Sequence, residues 1–206
     1  GNGMQTAGIC GFMAKDEGNL IQFCVNYGHI SCPTGRTGGL VATLMNGNVK
    51  NSDNRGTVED DIVGKFEGAA AQNSYNSKRM GGLIGGTDDL KKVLTATVES
   101  CTNYGNVFTH IGCRTGGFIG HSNIRIIGCA NQGAILGDVY NSDHGPAWAC
   151  GYSGQSSGEW VNVSSCTMGG YVGSYTTYKD NPTSAPAATV HNAFSYKNDE
   201  YYDPTI

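Results

Sequence analysis

Short apolar pairs recur along the chain, each behind a small-residue or glycine pair, and each followed by a polar turn and one β-branched residue. The first part reads Ala7-Gly8-Ile9-Cys10-Gly11, Gly38-Gly39-Leu40-Val41-Ala42, Gly81-Gly82-Leu83-Ile84-Gly85 and Gly116-Gly117-Phe118-Ile119-Gly120, with a weaker copy at Cys150-Gly151-Tyr152-Ser153-Gly154. The second part reads Cys24-Val25-Asn26-Tyr27-Gly28-His29-Ile30, Ser52-Asp53-Asn54-Arg55-Gly56-Thr57-Val58, Cys101-Thr102-Asn103-Tyr104-Gly105-Asn106-Val107 and Cys129-Ala130-Asn131-Gln132-Gly133-Ala134-Ile135. A last copy, Cys166-Thr167-Met168-Gly169-Gly170-Tyr171-Val172, keeps the glycine and loses the asparagine. Repetition of a two-part unit is the mark of a stacked repeat architecture. The shortest clean unit, residues 115–135, takes 21 residues. The apolar pair predicts a buried strand, Asn-x-Gly predicts a turn, and Ile30, Val58, Val107, Ile135 and Val172 start the next inward strand. Two or three strands of four to six residues fit such a coil. No coil can bury its apolar face alone, so coils stack in parallel about 4.8 Å apart, and five make a rod about 24 Å long. The fold expected is all-β: a parallel β-solenoid (β-helix) of about five coils.

Stacking sets like residues above one another. It predicts one column of Cys24, Ser52, Cys101, Cys129 and Cys166, and a second of Asn26, Asn54, Asn103 and Asn131. Stacked carboxamides hydrogen-bond along a column. Thiols on parallel Cβ vectors would be strained by bridging, so the column cysteines are expected as buried reduced thiols. Cys32 and Cys113 occupy equivalent loops outside the column. A coil separates them, so thiols are favoured there over a bridge. The glycine after Asn-x is expected at positive φ, so that Gly105→Val or Gly133→Val should cost more than the same change at Gly35.

The units Gly39-Leu40-Val41-Ala42, Gly82-Leu83-Ile84-Gly85 and Gly117-Phe118-Ile119-Gly120, each with a downstream Asn-x-Gly, resemble the GLUG motif repeat. That repeat occurs in extracellular and surface proteins of bacteria, among them adhesin-like and IgA-peptidase-related chains and many from Bacteroidetes. The resemblance spans roughly residues 7–172 and implies a β-solenoid placed outside the cell. It brings no catalytic residues to carry over. The degenerate fifth copy and the long insertions depart from it.

Composition narrows the classes. Of 206 residues 32 are Gly, yet there is no triplet period and Pro numbers only 5, which excludes collagen. A chain with 11 Tyr, 6 Phe and 2 Trp and only 15 % charged residues does not have the makeup of long disorder. Net charge is −4 and the basic residues are scattered, so no stripe for nucleic acid or anionic membrane is present. No apolar run approaches the roughly 18 residues of a membrane span. The chain opens on Gly-Asn-Gly-Met without a signal-like segment, so any signal peptide or lipid anchor is taken as removed. Cys-x-x-Cys and His-x-x-x-His spacings are absent, and neither a metal nor a cofactor is expected.

Residues 1–172 form the expected solenoid and 173–206, rich in tyrosine, its C-terminal cap. Insertions gather between the second part of one unit and the first part of the next, at 31–37, 59–80, 108–115 and 136–149, which marks that corner as the expected binding edge. Another long gap runs over 87–95. Candidate acids are Asp60/Asp61, Asp88/Asp89, Asp138/Asp143 and Glu159, and the first two pairs are sequential neighbours that point to opposite faces of a strand. His121 and His144 lack a Ser-His-Asp arrangement, and Asn51 to Gly56 lacks the terminal acid of a calcium loop. Trp148, Tyr152 and Trp160 flank the fifth coil and are the candidates for stacking on sugar rings, against packing beneath the cap. The function expected is a non-catalytic cell-surface or secreted bacterial module, adhesin-like or scaffolding, with host or bacterial glycans or surface proteins as partners. The alternative is a carbohydrate-active β-helix enzyme of polysaccharide lyase or glycosidase type.

Overall fold

Every described strand up to Gly173 lies beside its counterpart one repeat away, parallel and in the register obtained by laying the repeats over one another. The computed structural model describes residues 5–14, 18–32, 35–59, 79–87, 96–109, 114–121, 124–137, 148–150, 153–155, 162–164, 167–168, 172–173, 195–197 and 200–202. The second coil shows the plan: Arg36–Gly38, Val41–Leu44, Asn48–Lys50, Asp53–Asn54 and Val58–Glu59 are five short strands, one for each face of the rod. Each strand joins its equivalents from the other coils in a sheet running along the rod, giving five parallel sheets across five coils. A β-solenoid of about five coils is therefore the fold. A coil holds five strands of two to four residues rather than the two or three longer ones expected. Extra corners break each run before it reaches the length that the apolar spacing suggests.

One of those corners has no common residue type. Phe23, Asn51, Ser100 and Gly128 all adopt positive φ, between 46° and 59°, immediately before the column of Cys24, Ser52, Cys101 and Cys129. The glycines of Asn-x-Gly do not: positive φ among described glycines is confined to Gly18, Gly35, Gly47 and Gly128. The expectation that Gly105 and Gly133 need a left-handed backbone is corrected here. Their constraint is space. A Cβ on Gly105 would lie 1.9 Å from the carbonyl oxygen of Gly56, and one on Gly133 equally close to that of Gly105. Gly128 is the converse case, with φ +59° and no atom nearer than Ser100 Oγ at 3.8 Å. Gly128→Val is accordingly expected to lower stability by about 1–2 kcal/mol through backbone strain alone, read as a lower urea midpoint at unchanged slope.

The asparagine column runs inside the rod. Asn54, Asn103 and Asn131 are fully buried. Asn26 Nδ2 donates to Asn54 Oδ1 at 2.8 Å, Asn54 to Asn103 at 2.8 Å, and Asn103 to Asn131 at 2.7 Å. The second amide hydrogen of each goes to the carbonyl of the glycine two residues on, at 2.8–3.0 Å. This satisfies a buried polar group that would otherwise cost about 1–3 kcal/mol to desolvate. The opposite wall meets the column at Gly8, Gly39 and Gly82, where a Cβ would stand 2.3–2.4 Å from the Cγ of Asn26, Asn54 and Asn103 respectively. The glycine pair thus lets two walls touch.

That waist divides the interior. On one side pack Leu40, Leu83 and Phe118 with Val49, Val98, Ile126, Cys101 and Cys129. On the other, Ile30, Val58, Met80, Val107 and Ile135 form a second, narrower column. Each buried Leu, Ile or Phe contributes about 1.5–3 kcal/mol. At the far end a hairpin of Ser195–Lys197 and Glu200–Tyr202 joins the second sheet through Ser195 beside Ser153. No helix among the described residues is long and apolar enough to cross a membrane.

Candidate functional site

The middle residue of each Asn-x-Gly faces outward, because the asparagine before it turns in and, from the second coil on, the glycine after it is pressed against the preceding coil. Stacking therefore assembles an external column of Tyr27, Arg55, Tyr104 and Gln132, all exposed. Tyr27 is 74 % accessible and Tyr104 39 %. The Arg55 guanidinium lies over both rings, 4.5 Å from the Tyr104 centroid and 5.9 Å from that of Tyr27. Such cation–π contacts contribute about 0.5–1 kcal/mol at an exposed site and hold the side chains in a defined arrangement. Asp53, two residues earlier in the strand Asp53–Asn54, places a carboxylate oxygen 3.7 Å from Arg55 Nη2.

Polar pairs flank the column. Lys50 meets Glu99 at 2.8 Å across adjacent coils, and His29 Nε2 stands 3.2 Å from Glu59. Exposed pairs of this kind are worth about 0–1 kcal/mol each. Their geometry follows from register: Lys50 and Glu99 are direct neighbours in the third sheet. The corner thus combines two flat aromatic rings, a delocalised cation and a carboxylate on a stiff support. It can stack on the C–H face of a sugar ring while a guanidinium or carboxylate hydrogen-bonds its hydroxyls.

Of the cysteine column, Cys101 and Cys129 serve the core, whereas Cys24, expected to be buried, is only half-buried in the outermost coil. Cys101 Sγ donates to the carbonyl of Glu99 at 3.3 Å, and Cys129 Sγ to that of Ile127 at 3.5 Å. The Cys129 thiol, helped by backbone contacts at Ser52 and Glu99, holds the Cys101 pKa below its ordinary value, against burial and the Asp53 charge. Both thiols are buried, which keeps them from reagents whatever their acidity. Ser52 substitutes in the column by accepting from the Cys24 N–H at 3.1 Å and donating to the Lys50 carbonyl at 2.7 Å. Cys32 is buried, at the corner after the first coil.

Of the sugar-stacking candidates, Trp148 alone lies among the described residues. Trp148 opens a strand of the fifth coil in register with Arg114, while Tyr152, Trp160, Cys166 and Cys113 lie outside the described residues. So do Asp60, Asp61, Asp88, Asp89, Asp138, Asp143, His144 and Glu159. His121 ends the strand Ile119–His121. In the calcium-like stretch, Asn54 is engaged in the internal column and Asp53 with Arg55. The Tyr27–Arg55–Tyr104 column is not visible in the sequence because its residue types differ. The available signal was positional: one residue of every Asn-x-Gly must face solvent. Set against protein-family models, curated proteins and solved structures, the chain matches none.

Proposed function

We propose that this chain is a non-catalytic recognition module of a bacterial surface or secreted protein, adhesin-like, in which a rigid solenoid presents side chains for binding glycans. The observation that carries the reading is the exposed Tyr27–Arg55–Tyr104 stack, whose aromatic and cationic groups are held at coil spacing by in-register pairing of the strands beneath them. Preorganised aromatic surface binds with little loss of side-chain freedom. The resemblance of the repeats to the GLUG motif supports the extracellular placement, and the variable corners supply room for specificity.

A glycan array probed with the purified chain tests this. Tyr104→Ala and Arg55→Ala are each expected to weaken binding of any captured glycan about tenfold or more while leaving the thermal transition near that of the parent. Capture that survives both changes and is lost in Trp148→Ala or Trp160→Ala would move the site to the fifth coil. Absence of capture across acidic and neutral glycans would overturn the reading.

A further inference from the structure

Among the described residues the large exposed apolar side chains are Ile9, Phe12, Leu20, Phe23, Val25 and Tyr27, all in the first coil, with Tyr104 the exception. The described residues of the later coils do not repeat this. Ile9 is succeeded by the buried Leu40, Leu83 and Phe118. On the outer surface, Leu20 is succeeded in register by Asn48, Thr97 and Arg125, and Val25 by Asp53, Thr102 and Ala130. Phe23, at 75 % exposure the most open of all, gives way to Asn51, Ser100 and Gly128 at the same corner.

The first coil is also the edge strand of all five sheets. Asn48, Asp53 and Arg55 send their N–H groups back to carbonyls of Asn19, Cys24 and Asn26. By register, the N–H groups of Leu20, Val25 and Tyr27 face the open end in the same way. The asparagine column carries the clearest sign. In later coils the N–H of Gly56, Gly105 and Gly133 reaches back to the backbone carbonyl of Asn26, Asn54 and Asn103. In the first coil the Gly28 N–H turns instead onto its own Asn26 Oδ1, at 3.0 Å. That same oxygen, in Asn54, Asn103 and Asn131, receives the amide of the preceding asparagine. Two groups that a preceding coil would satisfy are here satisfying each other.

We propose that the open end of the first coil is an acceptor for one further coil of the same chemistry: an extended segment laid parallel on all five edges, with an asparagine above Asn26 and outward apolar residues extending the Leu20–Phe23–Val25 row. Continuity with the four coil–coil interfaces already present selects this occupant. A second copy stacked tail to head would bring a fifth coil whose column position is Met168, with no amide to donate, and whose second sheet already carries the Ser195–Lys197 strand. A second copy stacked head to head would run its strands antiparallel and reverse the order of faces, so that one edge pairs and four do not.

The probe is a copy of residues 114–137 fused ahead of Gly1, so that residues 1–4 form a connection as long as residues 110–113 between Thr109 and Arg114. Hydrogen exchange at the Leu20, Val25 and Tyr27 amides is expected to slow about 100-fold or more relative to the unfused chain. The same fusion with Asn131→Leu in the copied segment is expected to keep less than about a tenth of that protection. Unchanged exchange in the first fusion overturns the proposal, and equal protection by the second overturns the amide's part in it. An unfused chain that sediments as a dimer, and as a monomer after Phe23→Ser, would also overturn it, in favour of self-association.

Discussion

Gly82→Ala is expected to cost about 4 kcal/mol or more, enough to leave the chain largely unfolded or its third coil detached. One methyl group is all that is added. It would stand 2.3 Å from the carbonyl oxygen of Gly117 and 2.3 Å from both Cγ and Nδ2 of Asn103. Neither neighbour can yield cheaply. The oxygen belongs to the next coil's backbone, and the carboxamide is tied to Asn131 and Gly105. Moving either breaks stacking on both sides, so the usual overpacking cost of about 1–3 kcal/mol is a lower bound here. Gly11→Ala is the control. Its Cβ would meet nothing nearer than the Gln5 carbonyl at 3.3 Å, and a change of under about 1 kcal/mol is expected. Urea unfolding followed by circular dichroism separates the two. Equal, small effects would show that the walls do not touch at the waist.

Asn103→Leu is the second large effect, expected at about 3–5 kcal/mol. The side chains are close in volume, so little of this is cavity. The loss is polar: Asn54 Nδ2, Asn131 Oδ1 and the Gly105 carbonyl each lose a buried partner at 2.7–2.8 Å. Leucine also sets a branched carbon where Gly82 leaves room for a flat amide. Asn26→Leu, at the end of the column and engaged with one neighbouring asparagine, is expected to cost about half as much. Because Asn54 and Asn103 share a bond, the double variant should cost less than the sum of the singles. Additive costs would indicate that the amides do not interact.

The parts of this fold legible in the sequence are those where one chemical demand recurs in every coil. A buried amide that closes its own turn and reaches the next coil must be asparagine, and the waist opposite it must be glycine. Asn26, Asn54, Asn103 and Asn131 and the glycine pairs therefore align without ambiguity and carry the register with them. The corner before the cysteine column was not legible. Phe23, Asn51, Ser100 and Gly128 share a backbone angle but no side-chain property, and without it five strands per coil merge into fewer. The glycine of Asn-x-Gly was legible as a requirement and misread as to cause, since crowding and positive φ both exclude a side chain. The outer column of Tyr27, Arg55 and Tyr104 was hidden for the opposite reason. Solvent imposes no single residue type, so the position repeats while its chemistry varies.

Parallel, in-register stacking of coils around an internal amide column underlies every property described above. Amide-proton contacts measured by solution NMR on the full chain decide whether it holds. Cross-strand contacts linking Asp53 to Thr102 and Thr102 to Ala130 are expected, with slowly exchanging side-chain amide protons at Asn54 and Asn103. Contacts pairing Thr102–Asn103 antiparallel with Val107–Thr109, as in a hairpin closed over Gly105, would contradict it.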